Sequence, residues 1–131
     1  MAKYVYPAIF LEEEGGYSVT FPDIENCFTC ADTMHDAIMM AEDALNLMLC
    51  QFEDDGVTPN PPTDIKDITA DEKSVVSLIA ADTIEYRKVI DSKAVKKTLT
   101  IPSWLNIMSE KANLNFSQVL QEALMQKLDI S

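Results

Sequence analysis

The segment Lys96-Lys97-Thr98-Leu99-Thr100-Ile101-Pro102 decides how the chain is organised. Leu99 and Ile101 alternate with Thr98 and Thr100, a period of two that gives a strand one apolar and one polar face. Pro102 ends the strand, and its fixed φ suits the first turn of a helix. Trp104, Leu105, Met108 and Ala112 then fall at helical spacing. Asn113-Leu114-Asn115 interrupts that helix, and Asn115 with Gln118 three residues on has the form of an N-cap and its capping-box partner. Val119, Leu120, Ala123, Leu124 and Leu128 form the apolar stripe of a second helix. One strand and two helices in about forty residues cannot enclose a core alone. The economical arrangement is a dimer. Two strands pair antiparallel above four helices, with Leu99, Ile101, Trp104 and Leu120 in the shared core.

This order resembles the ribbon-helix-helix family of DNA-binding proteins over roughly residues 93–131, including Glu122-Ala123-Leu124 in the second helix. The resemblance implies a two-stranded ribbon lying in the major groove, where side chains reach base edges. By alternation, Lys96, Thr98 and Thr100 would face the bases. Lys97 lies on the Leu99 side and would meet phosphate, as would Asn115, Phe116 and Ser117 at the start of the second helix. The plainer alternative is an ordinary strand entering a helical hairpin, its lysines serving only solubility.

Charge divides the chain in the same place. Residues 1–86 hold 3 Lys+Arg against 18 Asp+Glu, a net −15, whereas residues 87–131 hold 7 against 4, a net +3. A chain of net charge −12 does not bind nucleic acid through its whole surface. A basic module on an acidic body suits two kinds of partner, DNA for one end and a positively charged macromolecule for the other, the alternative being an acidic surface that serves only solubility. We place the boundary between residues 91 and 92. At 47% hydrophobic residues the 131-residue chain is a folded protein rather than a disordered one. No apolar run approaches a membrane span and no signal peptide is evident. Three cysteines, an odd number, fit a reducing cytoplasm better than a disulfide framework.

The acidic body reads as an α+β domain. Tyr4 to Leu11 is an extended segment in which Pro7 suggests an edge position. Glu12 to Gly16 is a turn, and Tyr17-Ser18-Val19-Thr20-Phe21 returns as its hairpin partner. Cys27 to Ala31 forms a third strand. Thr33 caps a helix with the stripe Met34, Ile38, Ala41, Leu45, Met48 and Phe52, ended by Asp54-Asp55-Gly56. Thr58 to Thr63, with Pro59, Pro61 and Pro62, is a stiff link. Ser74 to Ala81 is a nearly continuous apolar run that reads as a more buried strand. Asp82-Thr83-Ile84-Glu85 caps a short connecting helix through Ile90.

This β-β-β-α-β order is similar to the N-terminal domain of HicB-type antitoxins over about residues 3–82. The matching words are Tyr6-Pro7, Gly16-Tyr17, Phe21-Pro22-Asp23, Asp32-Thr33 with Ala37 and Ala44, and the proline-rich exit from the helix. Asn26 stands where the family pattern commonly has glycine, and asparagine also tolerates left-handed backbone. The resemblance implies a partial RNase H-like fold that binds and occludes a small basic HicA-type ribonuclease. The C-terminal module would repress the operon by binding operator DNA. It implies a homodimer through that module, with assembly to a tetramer left open. A stand-alone repressor without a toxin is the alternative.

Other chemistry is poorly supported. Asp23, Glu25, Asp32, Asp36, Glu42 and Asp43 are conceivable metal ligands for a nuclease, but Asp43 and Glu42 sit off the apolar stripe, where solvated charge belongs. Cys27-x-x-Cys30 is a lone pair, with only His35 and Cys50 as further zinc ligands. Residues three apart on a strand point to opposite faces, so the cysteines read as free thiols of the core. Met34, Met39, Met40 and Met48 read as packing and oligomer contacts. We expect no enzyme activity, no metal and no cofactor.

Overall fold

The structure, a computed structural model, describes residues 2–130 and divides into two compact units, Met1–Lys93 and Ala94–Ser131. In the first unit, β1 (Lys3–Glu13), β2 (Gly16–Thr20) and β3 (Phe28–Ala31) precede a long helix, α1 (Met34–Asp55). A single 3₁₀ turn at Ile65–Asp67, β4 (Ser74–Asp82) and α2 (Thr83–Ile90) complete it. The sheet is wholly antiparallel, in the order β3-β2-β1-β4.

Alternation places Tyr6, Ala8 and Phe10 of β1 on one face with Val19 of β2 and with Ile79 and Ala81 of β4, all buried. The helix α1 lies across that face through Ala37, Ala41, Leu45 and Leu49, with Met34, Ala44, Met48 and Phe52 packed around them. Each fully buried large side chain, Phe10, Leu45 and Leu49 among them, contributes about 1.5–3 kcal/mol of hydrophobic stabilisation. The stripe read from spacing includes Ile38, yet Ile38 is 41% exposed. Ala37 takes the inward position because alanines at 37, 41 and 44 let the helix backbone approach the sheet closely.

Two strand expectations are corrected. Pro7 does not mark an edge strand, since β1 is interior. β2 pairs with β1 only as far as Ile9, opposite Thr20, so at Pro7 the strand has β4 on one side and no strand on the other. A residue without an N–H is tolerated there. The apolar run at residues 74–81 is not more buried: β4 is one of the two edge strands, and Val75 and Leu78 are exposed. An apolar run has the same sequence signature whether it is enclosed or leaves one side open.

Local signals set the boundaries. Thr33 Oγ1 accepts from the Asp36 N–H at 3.1 Å, and Asp82 Oδ1 accepts from the Glu85 N–H at 3.2 Å, starting α1 and α2. Gly56 ends α1 in the left-handed conformation. Asn26 is left-handed too, with φ of 63°, as its place in the pattern requires. The proline-rich link is strapped down. Asp23 accepts from the Thr63 N–H at 2.8 Å and from its hydroxyl at 2.5 Å, and Tyr6 donates to the Asn60 carbonyl.

Gly16 is required for space rather than conformation. A Cβ there would stand 2.4 Å from the backbone carbonyl oxygen of Ala31. Gly16→Ala should therefore destabilise the unit by about 1–3 kcal/mol, read from urea unfolding. Tyr4 gives a pH signature. Burial and the neighbouring Glu53 carboxylate push its phenol from 10.0 up to about 12. The folded chain keeps that proton where the unfolded chain loses it. The contribution is complete below the ordinary phenol value and is lost as pH rises through the folded one. Tyr4→Phe should flatten the alkaline loss of stability followed by circular dichroism, and an unchanged alkaline profile would refute this.

Candidate functional site

In the second unit, Pro102 occupies the N-cap position of α3 (Ser103–Lys111) rather than its first turn, and its carbonyl accepts from the Leu105 and Asn106 N–H groups. Asn113, left-handed at φ of 56°, breaks the chain before α4 (Phe116–Lys127). Asn115 caps α4, its side chain accepting from the Gln118 N–H at 3.1 Å. The reciprocal half of the capping box is not made, because Gln118 turns forward and donates to Glu122 at 3.3 Å. With its oxygen used in the cap, Asn115 shapes the helix start. Phe116 and Ser117 supply the first-turn N–H groups that lack an intrahelical acceptor.

Residues 92–102 form neither strand nor helix within the chain. A strand exists only when paired, and Lys96–Ile101 has no strand beside it among the described residues. Lys96, Lys97, Thr98 and Thr100 are all exposed, and neither lysine forms an ion pair among the described residues. The apolar positions are equally bare. Leu99 is 63% exposed and Trp104 64%, Ile101 is exposed, and Leu120 is only half-buried. Neither α3 nor α4 has a buried residue. Monomeric proteins seldom leave so continuous an apolar surface uncovered.

In the first unit the acidic side chains do not converge. The Asp23 carboxylate is taken up by Thr63, and Asp36 lies 3.3 Å from the exposed His35. No group of three or more His, Cys, Asp or Glu that could hold a metal occurs among the described residues. Cys27 is buried, which pushes its thiol from 9.0 up to about 11, and Cys50 is buried as well. Cys30 is exposed, so the reading of all three cysteines as core thiols is corrected. The alternation that separates Cys27 from Cys30 accounts for it.

A groove of about 480 Å³ runs between α1 and α2, lined by Met39, Glu42, Asp43, Tyr86, Val89 and Ile90 among others. Burial and the Asp43 carboxylate raise the Tyr86 phenol above its ordinary value. Beside the groove, Asn46 donates to the Glu42 carbonyl at 3.0 Å while its buried Oδ1 has no partner. Spacing alone did not single out Tyr86 or Asn46. The signal was available in Asn46, a polar residue following Leu45 on the inner side of an apolar helix.

No helix of the described residues is long and apolar enough to cross a membrane. Comparison with known proteins gives a consistent result. An antitoxin of Photorhabdus laumondii, HicB 1, is 37% identical over 82 residues, covering 62% of this chain and 50% of that protein. The chain thus spans about half the length of the curated antitoxins it matches. A chain of a toxin–antitoxin complex from Streptococcus pneumoniae superposes with a TM-score of 0.62 at 28% identity, covering 95% of this chain and 99% of that one. A chain of a HicA3 and HicB3 toxin–antitoxin complex gives a TM-score of 0.51 at 26% identity, covering 60% and 99%. Residues 6–127 match the family described as HicB-like antitoxin of bacterial toxin–antitoxin system, and with nearly the whole chain in that match the protein belongs to the HicB-like antitoxin family.

Proposed function

We propose that this protein is the cytoplasmic antitoxin of a toxin–antitoxin pair, neutralising a HicA-type ribonuclease through residues 1–91 and repressing its own operon through residues 92–131. The observation that carries the reading is the contrast between the units. One has a closed core, whereas the other presents two amphipathic helices and a threonine-lysine segment with nothing buried. The β-β-β-α-β order of the first unit supports a partial RNase H-like fold. Its acidic excess favours fast, steered association with a basic toxin. The groove between α1 and α2 suits such a partner, because Glu42 and Asp43 sit beside Met39, Val89 and Ile90.

In the second unit, pairing of two copies through Lys96–Ile101 makes a ribbon-helix-helix dimer. Leu99, Ile101, Trp104 and Leu120 then leave water together. Lys96, Thr98 and Thr100 point into the major groove, and Lys97 with the amides of Phe116 and Ser117 holds phosphate. The chain is a binder and not an enzyme in this reading. The alternative, a repressor with no toxin, is tested by the same preparation.

Binding of operator and random duplex across a salt series separates the roles. Thr98→Ala and Thr100→Ala should relax sequence preference at about 1–3 kcal/mol per lost base contact. Lys97→Ala should weaken both duplexes alike and lower the salt slope by about one per contact. If Lys96→Ala, Lys97→Ala, Thr98→Ala and Thr100→Ala all bind as the parent does, the ribbon is not the reading head.

Asp43→Lys on the exposed rim of the groove tests the other arm. Against a HicA-type chain encoded beside this one, it should slow association and reduce affinity at least tenfold, leaving operator binding unchanged. Absence of any small basic chain in co-purification from the native operon would favour the stand-alone repressor.

A further inference from the structure

The groove between α1 and α2 is lined by a residue whose polar head is buried and half used. Asn46 is only 5% exposed, and its Oδ1 has no partner. The neighbouring Glu42 carbonyl is an acceptor, so it takes the Asn46 NH2, at 3.0 Å, and leaves the amide oxygen for the groove. An acceptor removed from water and left unpaired costs stability, and an apolar residue would serve packing better on this buried side of α1. A donor entering the groove recovers that cost.

The walls specify the donor. Glu42, Asp43, Asp82 and Glu85 line the groove, and no lysine or arginine lines it among the described residues. Asp82 is occupied in the cap of α2, and Glu85 pairs with Lys88 at 2.9 Å. Glu42 and Asp43 form no ion pair among the described residues. Beside them Met39, Val89 and Ile90 offer apolar surface, Val89 at 79% exposure. A cation on a long apolar stem matches both features, its stem on the apolar wall and its head among the carboxylates. Arginine suits the groove better than lysine. The guanidinium is weakly hydrated and carries five donors in a plane, so it can serve an amide oxygen and a carboxylate together and lie against the Tyr86 ring. An ammonium is compact and holds its water more tightly.

We infer that this groove is the receptor for one arginine side chain of the basic protein partner, its guanidinium donating to Asn46 Oδ1 and pairing with Glu42 and Asp43. The inference rests on the toxin-binding reading of the first unit and adds the group recognised and the residue that reads it. Asn46 supplies selectivity rather than attraction. The carboxylates draw in any cation, whereas a buried lone acceptor discriminates against a side chain that cannot donate to it.

Two arms test this on the full chain. In the first, n-propylguanidinium, the arginine side chain without its backbone, is titrated while the Asn46 NH2 resonance is followed by NMR. A cation this small should bind with a dissociation constant on the order of millimolar. Asn46→Leu and the lysine analogue n-butylammonium should each bind about tenfold more weakly. The second arm uses the basic chain co-purified from the native operon. Asn46→Leu should weaken its affinity about tenfold while the urea midpoint of the free chain stays level or rises, because an unpaired buried acceptor has been removed. Asn46→Asp, which keeps an acceptor, should retain the affinity. An Asn46 resonance unmoved by n-propylguanidinium, or equal binding of n-butylammonium, overturns the inference. So does a partner affinity untouched by Asn46→Leu, or a fall of affinity and urea midpoint together, which would make Asn46 a packing residue. Absence of any basic chain in co-purification sinks the toxin-binding reading instead, and the small cation then decides the groove by itself.

Discussion

One carboxylate ties together the three elements on which the first unit depends. Glu53, in the last turn of α1, accepts from the Tyr4 hydroxyl at 2.8 Å, the Thr83 hydroxyl at 2.8 Å and the Arg87 guanidinium at 3.3 Å. Those partners lie at the start of β1, the start of α2 and midway along α2. Arg87 also donates to the Cys50 carbonyl and pairs with Asp54 at 3.0 Å, satisfying the end of α1. Hydrogen bonds to a charged group contribute about 1.5–3 kcal/mol each. With its side chain only 27% exposed, Glu53 is screened less than a surface acid, so the cluster holds where isolated surface pairs would not. Its consequence is positional: α2, the element that leads toward residues 92–131, is locked to the body.

The second unit faces the opposite constraint. Its second helix is capped by Asn115, its first starts at Pro102 without a side-chain cap, and a left-handed asparagine makes the turn between them. Burial is absent. Short isolated helices are marginal in water, since most helical stability in proteins comes from packing an amphipathic face. Leu99, Ile101, Trp104, Leu105, Met108, Val119 and Leu124 are all exposed, and together they form the apolar surface that the proposed dimer would take out of water. In the proposed dimer, burial of that surface would offset the conformational cost of ordering these residues.

How much of this could be read from sequence follows from what each signal depends on. Caps at Thr33, Asp82 and Asn115, the stop at Gly56 and the left-handed Asn26 were all legible, because each depends on one residue's own chemistry. The hairpin of β1 and β2 was legible from alternation. Misreadings arose where the answer lay in tertiary neighbours. Pro7 looked like an edge residue because the sequence does not show where β2 stops. Ile38 looked like core because spacing cannot choose between two adjacent rows of one helix. Ser74–Ala81 looked enclosed because hydrophobicity does not say which side is covered. In the candidate site, Lys96 to Ile101 are exposed on both sides of the alternation, so burial does not distinguish its two faces, whereas the groove holding Asp43 and Tyr86 depends on the docking of α2, which no local pattern encodes.

The division of burial between the units also couples the two proposed activities. A ribbon formed from two copies exists only in the dimer, so operator affinity and dimerisation are linked: whatever binds the dimer raises its population by mass action. At protein concentrations below the dimer dissociation constant, occupancy of the operator then falls with the square of concentration rather than in proportion. In the proposed dimer, contacts by Lys96, Thr98 and Thr100 would enter the complex twice, doubling the free-energy consequence of each base pair in a palindromic site. The first unit would add a separate handle, because a basic partner bound to its acidic surface would change the net charge of the chain that DNA meets. Such a partner reduces the repulsion between phosphate and a body of net charge −15 over residues 1–86. If both proposed activities hold, toxin binding and operator binding would be coupled through electrostatics without any contact between the two sites, and by linkage the coupling would be reciprocal.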